Sequence, residues 1–209
     1  MRYLNKFLNL KCAPDVLGTV GALGNKAAKE ITESMGIIQA IRKIVLKKPM
    51  RYVLYDLCAG NALTSVLAVH LLPVKHAYAI DTRTRDRNWH HAQRFSYIKE
   101  SIYNKPKWID TSSPGIMISV HACKTLSERV IEIYKTTPEI KHLALIPCCI
   151  KSNMEEEFPP VILKKLGRYI SWSWYLAQQA NGTLREDKHI QSPCRAIVEA
   201  NKNEQMVHI

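Results

Sequence analysis

The sequence predicts an α/β domain, a mostly parallel sheet wrapped on both faces by helices. Three observations lead there. From Lys47 onward, short apolar runs of strand length alternate with longer amphipathic ones, the pattern of strand–helix–strand units. The stretch "YVLYDLCAGNALTSVLAVHLL", residues 52 to 72, opens like a buried strand, breaks at a glycine and resumes as a helix. Acids also close successive apolar runs, at Asp56, Asp81 and Asp110.

In chain order, residues 1 to 48 read as a mostly helical N-terminal extension. Within it, "NKAAKEITESMGIIQAIRKIVLKK" sets Ile31, Met35, Ile38, Ile41 and Val45 at helical spacing. Residues 49 to 209 read as the main domain. "RYVLYDL" is its first strand, followed by a helix from about Ala62 to Leu72 that Pro73 ends. "HAYAID" is the second strand. "DRNWHHAQRFSYIKESIY" has helical length and is broken by "NKPK"; "KWID" is a weak third strand. "GIMISVHA", rich in β-branched residues, is the fourth. "KTLSERVIEIYK" places Leu126, Val130 and Ile133 on one helical face, and "HLALIPCC" is the fifth strand. "PPVILKKLGRYISWSWYLAQQANG" reads as one helix entered after two prolines and capped by Gly182, and "HIQSPCRAIVEANK" as a final strand or hairpin.

Hydrophobic residues make up 46% of the 209 and charged ones 23%, which excludes a disordered chain. No apolar run approaches the ~20 residues of a membrane span, and the N-terminus lacks the apolar core and cleavage site of a signal peptide. A cytoplasmic protein with no membrane partner is the expectation. Six cysteines without a C-x-x-C pair suit reduced thiols in such a compartment. Thirty Lys and Arg against eighteen Asp and Glu leave a net charge of +12. That surplus favours a polyanionic partner, RNA foremost, although a basic surface kept for solubility produces the same total.

Ligands of open α/β sheets sit beyond the carboxyl ends of the strands. The turn there reads C-A-G-N-A-L, Cys58 to Leu63, with one glycine. A dinucleotide loop wants G-x-G-x-x-G and a P-loop wants G-K-[ST], and both are absent. The amino-acid end of S-adenosylmethionine (SAM) suits this hinge better. Asp56 can meet its ammonium, and backbone N–H groups around Cys58, Ala59, Gly60 and Asn61 its carboxylate. Asp81, followed by Thr82, is placed to accept the ribose hydroxyls, and Asp110 the adenine amino group.

At these residues the chain resembles a SAM-dependent methyltransferase-domain family. "DLCAGNALTS", "AIDTR", "SVHACKTLSERVI", "LIPCCIKS" and "IQSPCRAIVEA" are similar to its successive motifs, the H-A-C and P-C-C pair being the specific part. The family includes eukaryotic tRNA ribose 2′-O-methyltransferases of the acceptor stem. The resemblance spans roughly Lys47 to Asn201 and implies a Rossmann-like class I methyltransferase: a seven-stranded sheet whose last strand is antiparallel, with SAM as cofactor.

Methyl transfer to a hydroxyl needs a base. His121 is the candidate base and borders the cofactor; Lys124 is a candidate to steady an alkoxide or phosphate. Cys148 is a candidate nucleophile toward a pyrimidine ring. Arg83, Arg85, Arg87 and Trp89 are candidates to hold phosphates and stack a base, with Cys149 beside the acceptor. The strand-end cysteines Cys58, Cys123, Cys148 and Cys149 are expected near one another. Adjacent Cys-Cys does not suit ordinary tetrahedral spacing, so no metal site is assigned, and packing explains small buried cysteines equally. The reading is therefore a SAM-dependent methyltransferase acting on RNA, at a ribose hydroxyl. The alternatives are a methyltransferase of a protein or small molecule, and a non-catalytic RNA-binding module.

Overall fold

The computed structural model describes residues 2–84, 86–104, 106–150 and 154–202. Seven strands form one sheet in the order β3-β2-β1-β4-β5-β7-β6. They are β1 (Val53–Leu57), β2 (His76–Asp81), β3 (Phe95–Lys99), β4 (Gly115–Val120), β5 (Ile140–Ile146), β6 (Thr183–Glu186) and β7 (Ala196–Asn201). β1 pairs in parallel with β2 and β4, β2 with β3, and β4 with β5; β7 alone runs antiparallel to its neighbours β5 and β6. All five residues of β1 are buried, as a central strand covered on both faces demands.

Helices α1 (Tyr3–Leu8), α2 (Ala13–Val20), α3 (Ala27–Lys47) and α4 (Leu63–Leu71) cover one face. They build a core with Phe7, Ile37, Ile41, Leu67 and Ile116. α5 (Thr125–Thr136), α6 (Met154–Glu157), α7 (Pro160–Leu166) and α8 (Arg168–Gln179) lie with the other, around Tyr134, Leu145, Trp172 and Leu176. The five apolar positions expected on one face of α3 are all buried, and so are Thr32, Glu33, Ser34, Gly36 and Ile37. The helix is thus an inner layer. At Gly36 a Cβ would stand 2.7 Å from Ile190 Cδ1, so the missing side chain admits the loop before β7.

Three expectations are corrected. Residues 86–103 are not a helix: a 3-10 turn (Trp89–His91) leads into β3, whose ladder with β2 runs from Ala77↔Phe95 to Asp81↔Lys99. "KWID" is not a strand but lies in the irregular segment before β4, where Trp108 is buried; Ile102, expected in a helix, is buried in the stretch after β3. The helix expected over 159–182 is two, broken where Gly167 takes φ +78. The strand β6 that follows was not foreseen.

Candidate active site at the carboxyl ends of the strands

The chain runs outward from β1 to β2 and β3, then returns to β4 on the other side of β1. The reversal opens a cleft beyond the carboxyl ends of β1 and β4, where open sheets bind ligands. A cavity of about 620 Å³ lies there, lined by residues 58–61, Asp56, Asp81, residues 100–103, His121 and Cys123. Its size suits a nucleoside joined to an amino acid.

The turn after β1 is unusually wound. Cys58, Gly60 and Ala62 take φ +59, +58 and +58. Left-handed backbone costs a non-glycine residue roughly 1 kcal/mol, and such conformations collect at functional turns. Hydrogen bonds hold it: Ala59 N donates to Ile80 O at 3.1 Å and Ala62 N to Ala59 O at 2.8 Å. Asn61 Oδ1 accepts from Leu63 N at 3.2 Å, while its Nδ2 donates to Glu30 Oε2 at 3.0 Å. Gly60 N donates to Asp81 Oδ2 at 2.9 Å. That N–H, expected to face a ligand carboxylate, instead fixes the Asp81 side chain.

Asp56 is 1% exposed and accepts from Ser65 Oγ at 2.6 Å. Burial pushes its carboxyl up to about 7; the Ser65 bonds oppose this and the Asp81 charge adds to it. Burial also works against ionisation of Asp81, but hydrogen bonds from Arg83 and from the Gly60 backbone outweigh it and hold that carboxyl below the usual range. Arg83 grips Asp81 through Nε at 3.0 Å and Nη2 at 3.2 Å. Burial, with the charges of Asp81 and Asp56, pushes the Cys58 thiol up to about 12.

His121, itself at φ +71, directly follows β4. Its Nε2 lies 2.8 Å from Oε2 of Glu33, a fully buried carboxylate on α3. Among the described residues neither Glu33 oxygen has a hydrogen bond. Lys29 Nζ is 3.9 Å from the other oxygen. Beyond β5, Cys148 Sγ is 3.0 Å from Cys123 Sγ and 3.5 Å from Cys149 Sγ. Burial raises the Cys148 thiol, while hydrogen bonds from its two neighbours lower that of Cys149.

The cleft thus gathers Asp56, Cys58, Ala59, Gly60, Asn61, Asp81, Thr82, Arg83, Arg87 and His121 of the residues singled out in sequence. Lys124, Cys148 and Cys149 stand behind its wall, Lys124 at the start of α5 and exposed. Trp89 is not a free stacking platform: it packs on Tyr97, centroids 5.0 Å apart at 7°, and against Phe95. Arg85 lies outside the described residues. Asp110 is corrected outright. It caps a turn at the amino ends of the strands, accepting from Ser112 N at 2.8 Å and from Lys75 Nζ at 3.4 Å. With β3 placed at 95–99, the residues beyond the third strand are Glu100, Ser101 and Ile102, and these line the cavity.

Glu30, Glu33 and Ser34 were missed. They come from α3, and Glu30 and Ser34 line the cavity. The available signal was their spacing: Glu30, Glu33, Ser34, Ile37 and Ile41 share one helical stripe, so the two acids continue a buried face.

A family model described as a methyltransferase domain matches residues 26–156. The chain belongs to the methyltransferase-domain family. Magnesium protoporphyrin IX methyltransferase from Synechocystis PCC 6803, solved with bound S-adenosylhomocysteine, superposes at TM-score 0.52 and 10% identity, over 95% of this chain and 97% of that one. The 23S rRNA methyltransferase ErmE gives 0.51 and 9%, over 85% and 68%. TrmK from M. capricolum, in complex with its natural cofactor product S-adenosylhomocysteine, gives 0.44 and 15%, over 77% and 67%. None of the curated proteins matches. Membership of this family, with the Rossmann-like class I fold, makes the protein a SAM-dependent methyltransferase. Its cleft fits that cofactor: two carboxylates at adjacent strand ends, a wound turn around Gly60, and a cavity of the right size. Among the described residues no helix is long and apolar enough to cross a membrane.

Proposed function

We propose that this methyltransferase acts on RNA, at a ribose hydroxyl, with His121 receiving the hydroxyl proton. The observation that carries the proposal is the buried Glu33 carboxylate 2.8 Å from His121 Nε2 at the cleft wall. When bound, SAM supplies an electrophilic methyl on a sulfonium. A hydroxyl keeps its proton at neutral pH, so its attack on that methyl calls for a base within reach. Glu33 is, in this reading, a positioning residue that holds the imidazole ring through its contact with Nε2.

In this reading Asp81 holds the cofactor ribose and Asp56 the amino-acid ammonium, while Glu100, beyond β3, takes the adenine role first given to Asp110. Arg83 and Arg87 line the same cavity, and Lys29 and Lys124 flank the cysteine wall. On the same reading these cations hold the phosphates of the acceptor RNA. Cys148 does not need to act as a nucleophile, since burial disfavours its thiolate.

The test follows labelled methyl from SAM into the RNA, protein and small-molecule fractions of a cell extract. RNA that takes the label is then digested to nucleosides. Label is expected in 2′-O-methylated nucleosides. His121→Ala should lower transfer about 10²- to 10⁴-fold with SAM affinity little changed by calorimetry. Label confined to protein or small molecules, or a His121→Ala variant of full activity, would overturn the proposal.

A further inference from the structure

Three thiols at and behind the cleft wall, with Cys123 on the cavity side, are not used by the methyl transfer above. They come from two loops, 121–124 after β4 and 147–149 after β5. His121 N donates to Ile146 O at 3.2 Å and Lys124 N to Cys149 O at 3.3 Å, so backbone hydrogen bonds bind the two loops side by side. The sulfurs of Cys123, Cys148 and Cys149 all lie within 4.8 Å of one another.

We propose that Cys123, Cys148 and Cys149 form a three-thiolate site for a thiophilic divalent cation of the zinc class. Zinc–sulfur bonds of about 2.3 Å in tetrahedral array set sulfurs about 3.8 Å apart. Two of the sulfur separations, 3.0 and 3.5 Å, fall just short of that value, and the third is within 4.8 Å. Reaching it needs shifts of less than about 1 Å. The objection from sequence, that neighbouring cysteines rarely share a tetrahedral ion, is met by the backbone here: it already turns Cys148 and Cys149 to one side, their sulfurs 3.5 Å apart.

Charge and surroundings agree. Three thiolates on a dication leave one net negative charge, and the ammonium groups of Lys124 and Lys29 both act on Cys149. Binding exchanges three thiol protons for the ion and oxidises nothing. Cys194 adds a further sulfur at the rim, its Sγ 3.3 Å from the Cys148 carbonyl. A bound ion would cross-link the β4 and β5 loops and so fix His121, two residues from Cys123, against Glu33. The proposal does not depend on the identity of the methyl acceptor.

The experiment titrates the full chain, purified reduced and stripped of metal, with Co²⁺ and then Zn²⁺. One equivalent of Co²⁺ should give thiolate-to-metal charge-transfer absorption and tetrahedral visible bands, and one equivalent of Zn²⁺ should bleach them. Cys123→Ser, Cys148→Ser and Cys149→Ser should each weaken Zn²⁺ binding about tenfold or more, while Cys12→Ser leaves it unchanged. Alkylation mapped by mass spectrometry on the wild-type chain removes any dependence on variant folding: Zn²⁺ should shield these three thiols and leave Cys12 reactive. Absence of the charge-transfer band, unshielded thiols, or a metal-free chain two hydrogens lighter through a Cys123–Cys148 disulfide would overturn the proposal.

Discussion

Asp56 links burial directly to cofactor affinity. Its carboxyl is raised to about 7, chiefly by burial, so in the empty cleft the neutral form is substantially populated near neutrality. Pairing with an ammonium requires the carboxylate. Binding must then release a proton wherever the free protein holds one, and affinity rises with pH until the free carboxyl is ionised. SAM affinity should climb by up to about tenfold per unit between pH 5.5 and 7, then level off. Asp56→Asn should flatten that profile in calorimetry. Stability carries the opposite sign: with the folded value above the unfolded one, this group's contribution is intact below the ordinary carboxylate range and lost as pH rises through about 7. Melting of the cofactor-free protein between pH 5 and 8 should show that loss, and Asp56→Asn should not. A pH-independent affinity would mean that Asp56 stays clear of the cofactor's charge. At this scale the sequence was informative wherever a residue ended a strand it had correctly placed. Asp56 and Asp81 were legible because β1 and β2 were. Asp110 was not, because a side chain that ends no strand has no claim on the cleft.

Elements were legible where apolar runs were continuous. β1, β2, β4 and β5 are nearly all buried, and their composition announced it. β3 is an edge strand with intermediate burial at four of its five residues, so its mixed polar sequence reads as readily as a helix. β6 is exposed at three of four positions for the same reason. Only pairing with neighbours distinguishes such segments, and pairing is not local. β6 depends on a close approach that one residue permits. At Gly182 a Cβ would stand 2.3 Å from the Glu199 carbonyl oxygen in β7 and 2.9 Å from Ala200 Cβ. The obstacle is a strand backbone locked into two ladders, which cannot yield as a side chain would. Gly182→Ala should cost about 3 kcal/mol and lower the melting temperature by roughly 6–12 °C. Gly18→Ala is the control, since nothing stands within 4 Å of its Cβ. Equal melting of the two variants would show that the α8–β6 turn relaxes freely.

Across the whole molecule, the helical extension and the sheet make one site. α3 brings Glu30 and Ser34 to the cavity and Glu33 to His121, so the segment that reads as a lead-in supplies part of the cleft wall. The net charge of +12 then acquires a location to test. If the surplus serves only solubility, RNA binds diffusely and no single lysine governs the salt response. If it serves the acceptor, Arg83 and Arg87 in the cleft and Lys29 and Lys124 beside its cysteine wall carry the phosphate contacts. About four contacts to single-stranded RNA give a slope near −3 in log K against log salt, or about a 50-fold loss from 50 to 200 mM. Replacing Lys29 and Lys124 together with alanine should reduce that slope by about 1.4. Replacing Lys43 and Lys47, on the far end of α3, should leave it nearly unchanged. Fluorescence anisotropy with a labelled oligonucleotide reads both. A slope equally sensitive to either pair would spread the contacts over the whole surface. It would move the RNA away from the cleft and return the acceptor question to the protein and small-molecule alternatives.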